Sequence, residues 1–280
     1  MRFVTFQHDN HSHPGVLLGD KVVSLTQAGF HSVLEVISGG PAALSMVKDA
    51  ILTAPDFALS GVKLLAPMPR PPKIICIGLN YRDHAIESKL EIPKIPVVFS
   101  KYPSVTIGPG DSIVLPKNSE KPDYEAEMAV VIGKNGRHVA AEDWREYVFG
   151  YMCLNDVSAR DFQMATSQWM IGKTFDTFAP MGPYIVTDDE IADPHMLDIS
   201  LDINGETLQN SNTKELIFRI PELIAYLSSV FTLEPGDIIS TGTPSGVGFS
   251  YNPPRWLKAG DKVTVKIEGL GELTNPCVAE

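Results

Sequence analysis

Short alternating and β-branched apolar runs, broken by Gly, Pro, Asn and Asp, divide this chain into many strands with a few helical stretches between them. Strands are predicted over 2–6, 15–19 and 21–25, with turns at His13-Pro14-Gly15 and Gly19-Asp20. Two helices are predicted to follow, one over 32–38 stopped by Gly39-Gly40, the other over 41–52 opened by Pro41. Four prolines within 66–72 predict a stiff, extended connector. The chain is therefore expected to divide into a small N-terminal α/β domain (1–66), a linker (67–72) and a larger domain (73–280).

In the larger part, strands are predicted at 73–77, 97–100, 112–115, 124–133, 151–154, 181–187, 197–203, 236–240 and 261–268. Helices are predicted near 142–149, 157–169 and 221–231, and Asn204-Gly205 is a strong hairpin turn. Strands outnumber helices and do not alternate with them regularly, which predicts an α+β fold with a mixed β core.

The stretch KPDYEAEMAVVIG, residues 121–133, is the most informative. On a strand, Glu125 and Glu127 share a face with Ala129 and Val131, while Ala126, Met128, Val130 and Ile132 take the other. Two carboxylates on a strand buried on both faces would repel and lose hydration unless a positive charge sits between them. Asp156, just after the apolar run 150–154, could join them, and three carboxylates without Cys or His would suit a hard cation such as Mg²⁺ or Mn²⁺. Equally, the glutamates could lie on a solvated edge with Asp156 capping the helix that follows.

Other residues have comparable double readings. Lys173, between apolar neighbours, could stabilise developing oxyanion charge or could be a surface lysine lying along apolar groups. His84 and Glu87, three apart on a predicted short helix, could be a base and its orienting carboxylate or a solvated pair. The run Ser240–Gly248 fits neither a P-loop nor a nucleophile elbow and reads as a turn lining a pocket, with Thr243 offering its hydroxyl.

Composition narrows the function classes. The chain has 280 residues, 44% hydrophobic and 20% charged, with a net charge of -11, which disfavours nucleic acid and anionic membranes as partners. The first residues lack an apolar signal-type core, and no run approaches the roughly 20 apolar residues of a membrane span. A soluble, cytoplasmic protein is expected. Cys76, Cys153 and Cys277 form no motif and are expected to be reduced and buried; His8, His11 and His13 read as a solvated turn.

Six blocks in order resemble the fumarylacetoacetate hydrolase superfamily: IGLNYRDHAIES (77–88), DYEAEMAVVIGK (123–134), GYMCLNDVSARDFQ (150–163), GKTFDTFAPMGP (172–183), INGE (203–206) and LEPGDIISTGTPSGVG (233–248). The resemblance implies a mixed β-roll core behind a small N-terminal domain, usually as a homodimer. It also implies a Mg²⁺ or Mn²⁺ site at Glu125, Glu127 and Asp156, substrate contacts from Arg82, Gln163, Thr243 and Gly242, and catalytic roles for His84, Glu87 and Lys173. His84 and Glu87 would sit on a lid. Ile171 departs from the family, which often has arginine there. The activity implied first is metal-dependent hydrolysis of a carbon-carbon bond in an acylpyruvate-like 2-oxo acid. Oxaloacetate decarboxylation, dienedioate isomerisation and a non-catalytic binding role are the alternatives.

Overall fold

A computed structural model describes residues 1–280. Its spine is the antiparallel pair Ala126–Ile132 and Val148–Asn155, buried along their whole length. The predicted alternation is present. Ala126, Met128, Val130 and Ile132 join a core with Leu201, Val263 and Val265 on one face, and Ala129 and Val131 join a second core with Phe3, Val36 and Ile37 on the other. Burial on both faces is why these strands read as nearly continuous apolar runs.

Around this spine the large sheet extends both ways. On one side Ile238–Ser240 pairs antiparallel with Ala126–Ile132, Ile74–Gly78 pairs parallel with Ile238–Ser240, and Val97–Lys101 follows. On the other, Ala179–Thr187 pairs with Val148–Asn155 and then with Arg2–His8, so the N-terminal strands share the sheet. A five-stranded sheet runs Glu206–Asn212, Asp198–Ile203, Lys262–Ile267, Gly271–Ala279 and Ile113–Leu115. The fold is thus α+β with large mixed sheets and few helices, as expected. No helix is long and apolar enough to cross a membrane. The three cysteines are free and buried.

Several local expectations are corrected. The first hairpin turns at Asp9 and Asn10, both with positive φ, and His13-Pro14-Gly15 lies inside the strand His11–Leu18. Short polar side chains tolerate that left-handed conformation, which favours them over the proline as the turn site. Residues 141–147 form a 3₁₀ helix instead of an α-helix. The predicted helix over 157–169 is replaced by Ser158–Ala159 in strand pairing, a short helix Arg160–Gln163, and irregular backbone where Thr166 hydrogen-bonds both backbone groups of Gln168. Such local bonds compete with helix formation. The strand Gly271–Ala279 was not predicted, because its inward positions include Asn275, whose amide is satisfied by the Gly108 and Asp111 carbonyls.

Candidate active site

Strand register assembles the acidic cluster. Ala126 pairs with Asn155, so Glu125 lies beside Asp156, whose amide donates to the Glu125 carbonyl at 2.9 Å. Glu125, Glu127 and Asp156 are all buried, and one oxygen from each lies within 4.8 Å of the others. A solvated edge does not describe them.

Three buried cations surround the cluster. Lys173 Nζ donates to Glu125 Oε2 at 2.7 Å and to Asp156 Oδ2 at 2.8 Å. Lys101 Nζ donates to Asp156 Oδ1 and, at 2.9 Å, to the Val157 carbonyl. Arg160 pairs through Nη1 with Glu125 Oε1 at 2.7 Å and through Nε with Asp123 Oδ2 at 2.8 Å. Four buried carboxylates, counting Asp123, therefore meet three buried cations, leaving one negative charge unmatched.

That imbalance falls on Glu127. Burial, reinforced by the charges of Asp156 and Glu125, pushes its carboxyl well above the usual range. Burial acts on Glu125 too, but the Lys173 ammonium and Arg160 guanidinium overcome it and hold that carboxyl at about 2. Glu127 Oε2 accepts from the Ser240 hydroxyl and, at 2.9 Å, from the Gly242 amide, while Oε1 has no protein partner. An all-oxygen donor set with an excess negative charge and a partnerless oxygen fits a hard divalent cation.

A cavity of about 60 Å³ opens onto Glu125, Glu127 and Lys173, with His84, Arg160 and Gln163 among its other walls. Asp156 is not part of this lining, its Oδ2 being covered by Lys173. His84 Nδ1 lies 3.2 Å from Glu87 Oε2, and Glu87 Oε1 accepts the Gly246 amide at 2.9 Å. Burial raises the Glu87 carboxyl, but these bonds outweigh it and hold the group below its ordinary value. An ionised Glu87 can only accept, so Nδ1–H is the ring form that this contact favours, with Nε2 on the far side of the ring from Glu87. Phe249 meets the His84 ring edge-on at 6.1 Å and lies 4.6 Å from the Arg160 guanidinium, sheltering both.

Of the residues singled out in the sequence, the cavity brings together His84, Glu125, Glu127, Gln163, Lys173 and Thr243. Arg82 is exposed and outside it, because two residues along a helix from His84 is nearly the opposite face. Gly242, at φ 102°, contributes its amide to Glu127 and is not in the lining. Arg160 and Lys101 were missed. Arg160 stands three before Gln163, one helical turn away, and that spacing could have found it; nothing near Lys101 in sequence marks it.

Gly172 has a close-packing role beside Lys173. A Cβ there would lie 2.3 Å from the Gln163 amide nitrogen, backbone against backbone. Gly172→Ala is expected to cost about 1–3 kcal/mol of stability by overpacking and to lower activity by displacing Lys173. Denaturant unfolding checks the first effect and turnover the second.

The fumarylacetoacetate hydrolase C-terminal family matches residues 73–278. The chain belongs to the fumarylacetoacetate hydrolase family. It is 48% identical over 287 residues to the mitochondrial oxaloacetate tautomerase Fahd2a of Rattus norvegicus, covering 99% of this chain and 92% of that protein. Among solved structures, the fumarylacetoacetate hydrolase of Exiguobacterium antarcticum superposes with a TM-score of 0.88 at 37% identity, covering 100% of both chains. The maleylpyruvate hydrolase of Sphingobium sp. SYK-6, in complex with manganese(II) and pyruvate, gives 0.85 at 33% identity, covering 100% of this chain and 99% of that one.

Family relatives are thus enzymes acting as tautomerases and hydrolases, and one of them binds a divalent metal. The expected cytoplasmic location is overturned, since the relatives from rat, cattle and human are mitochondrial proteins. An apolar leader is a signal for secretion and does not separate cytosol from mitochondrion.

Proposed function

We propose that this protein interconverts the enol and keto forms of oxaloacetate, or of a closely similar short 2-oxo dicarboxylic acid. The observation that carries the dicarboxylic part is Arg160: it is 5% exposed, lines the cavity, and its Nη2 has no hydrogen-bond partner. A buried guanidinium nitrogen left unpaired is costly, and a second substrate carboxylate would satisfy it. The small cavity and the tautomerase relatives support the same reading.

Glu125, Glu127 and Asp156 would hold a divalent cation, Mg²⁺ or Mn²⁺, which when bound supplies Lewis acidity toward the 2-oxo carboxylate and favours the enolate. Lys173 shares the charge arriving on the C2 oxygen. His84 Nε2 takes the C3 proton in the keto-to-enol direction and delivers it to the C2 oxygen, and the reverse direction carries it back to C3, while Glu87 holds the ring and stabilises its protonated form. Gln163, whose Oε1 accepts from Arg160 Nη1 at 2.8 Å, keeps its amide for substrate. Thr243 closes the cavity wall.

His84→Ala is expected to slow decay of the oxaloacetate enol absorbance by about 10²–10⁴-fold. Chelator should bring wild type to background, with recovery on adding Mg²⁺ or Mn²⁺. Full activity in chelator, or an unaffected His84→Ala, sinks the proposal. Hydrolysis of an acylpyruvate is the second reading, favoured by the His84–Glu87 pair, which could equally activate water; pyruvate release from such substrates would reveal it.

A further inference from the structure

Within the acidic cluster, Lys173 apart, the protein holds each carboxylate by one oxygen. Glu125 is held at Oε1 by Arg160, Glu127 at Oε2 by Ser240 and Gly242, and Asp156 at Oδ1 by Lys101. The other oxygens are differently placed: Glu125 Oε2 and Asp156 Oδ2 meet only Lys173, and Glu127 Oε1 meets nothing. Lys101 differs from the other holders. It is 2% exposed, does not line the cavity, and is itself fixed by the Val157 carbonyl, so it touches Asp156 from within the fold.

We propose that Lys101 is a positioning residue that makes the cluster select a small octahedral divalent ion over Ca²⁺, by restricting Asp156 to one ligating oxygen. The inference rests on the reading of Glu125, Glu127 and Asp156 as a cation site. With Lys173 giving up Glu125 Oε2 and Asp156 Oδ2 to the ion, three one-oxygen carboxylates leave room for about three further oxygens in an octahedron, which suits Mg²⁺. Ca²⁺ takes about 6–8 oxygens and gains from two-oxygen carboxylates, which Asp156 cannot offer while Lys101 holds Oδ1. Partners outside the ligand sphere commonly set ligand orientation and metal affinity in this way.

Calorimetric titration of the whole protein with Mg²⁺ and with Ca²⁺ tests this. Wild type should bind Mg²⁺ more tightly than Ca²⁺. Lys101→Met removes a positive charge, which tightens both ions alike, and frees Oδ1, so the affinity ratio should move toward Ca²⁺ by about tenfold. A folded Lys101→Met, judged by circular dichroism, whose ratio equals wild type overturns the proposal. So does a wild type that prefers Ca²⁺, a result that needs no variant to fold. A wild type that binds neither ion removes the cation-site reading together with this one, whereas Mg²⁺ binding without discrimination removes this one alone.

Discussion

Glu127→Gln is expected to make the metal-free protein more stable while abolishing its metal-dependent turnover. Glu127 is the buried carboxylate without a cation at contact distance, and burial together with its acidic neighbours disfavours its charge. Glutamine keeps the shape, and its carbonyl oxygen can still accept from Ser240 and the Gly242 amide. Removing a misplaced charge while keeping its hydrogen bonds should raise stability by about 1 kcal/mol, the trade between stability and function often met at active sites. The same change removes one of three anionic ligands and should lower cation affinity by at least about 10–100-fold. Thermal unfolding in chelator and turnover at saturating Mg²⁺ measure the two effects. A variant less stable than wild type in chelator, or one fully active in Mg²⁺, would contradict the assignment of Glu127.

Arg160→Met should do the reverse on stability and discriminate between substrates. The change leaves Asp123, which is 0% exposed, without its ion-pair partner. Breaking a buried pair typically costs about 3–5 kcal/mol. The lower end is expected here, because the Tyr124, Gly248 and Phe249 amides still donate to Asp123. Adding Asp123→Asn to the same chain should recover part of the loss. For catalysis, loss of a charged hydrogen bond worth about 1.5–3 kcal/mol should raise the KM for oxaloacetate about 10–100-fold. Exchange of the C3 protons of 2-oxobutanoate, which has no second carboxylate, should change far less. Equal losses on both substrates would remove Arg160 from substrate recognition.

Much of this architecture was legible because alternation along a strand is a local property. The faces taken by residues 126–132 follow from side-chain geometry alone, and the structure places them in two different cores as that geometry requires. The helices Val33–Ser38 and Gly40–Ala50 were legible for a similar reason, through their glycine stop and Pro41. The stretch 157–169 was not, since its apolar spacing permits a helix and only the Thr166 bonds and the packing of Gly172 on Gln163 break it up.

The sequence by itself determined the family, the α+β class, and the types of residue available for chemistry. Six ordered blocks and two glutamates on an apolar strand are enough for that, because each depends on neighbours along the chain. Only the tertiary structure decided which charges meet. Lys101, Arg160 and Lys173 come from separate elements and reach the same carboxylates across 17 to 55 positions of sequence, which no local pattern records. Arg82 left the site and Arg160 entered it for the same physical cause: the direction of a side chain is set by the element that carries it, and its partners by where that element packs.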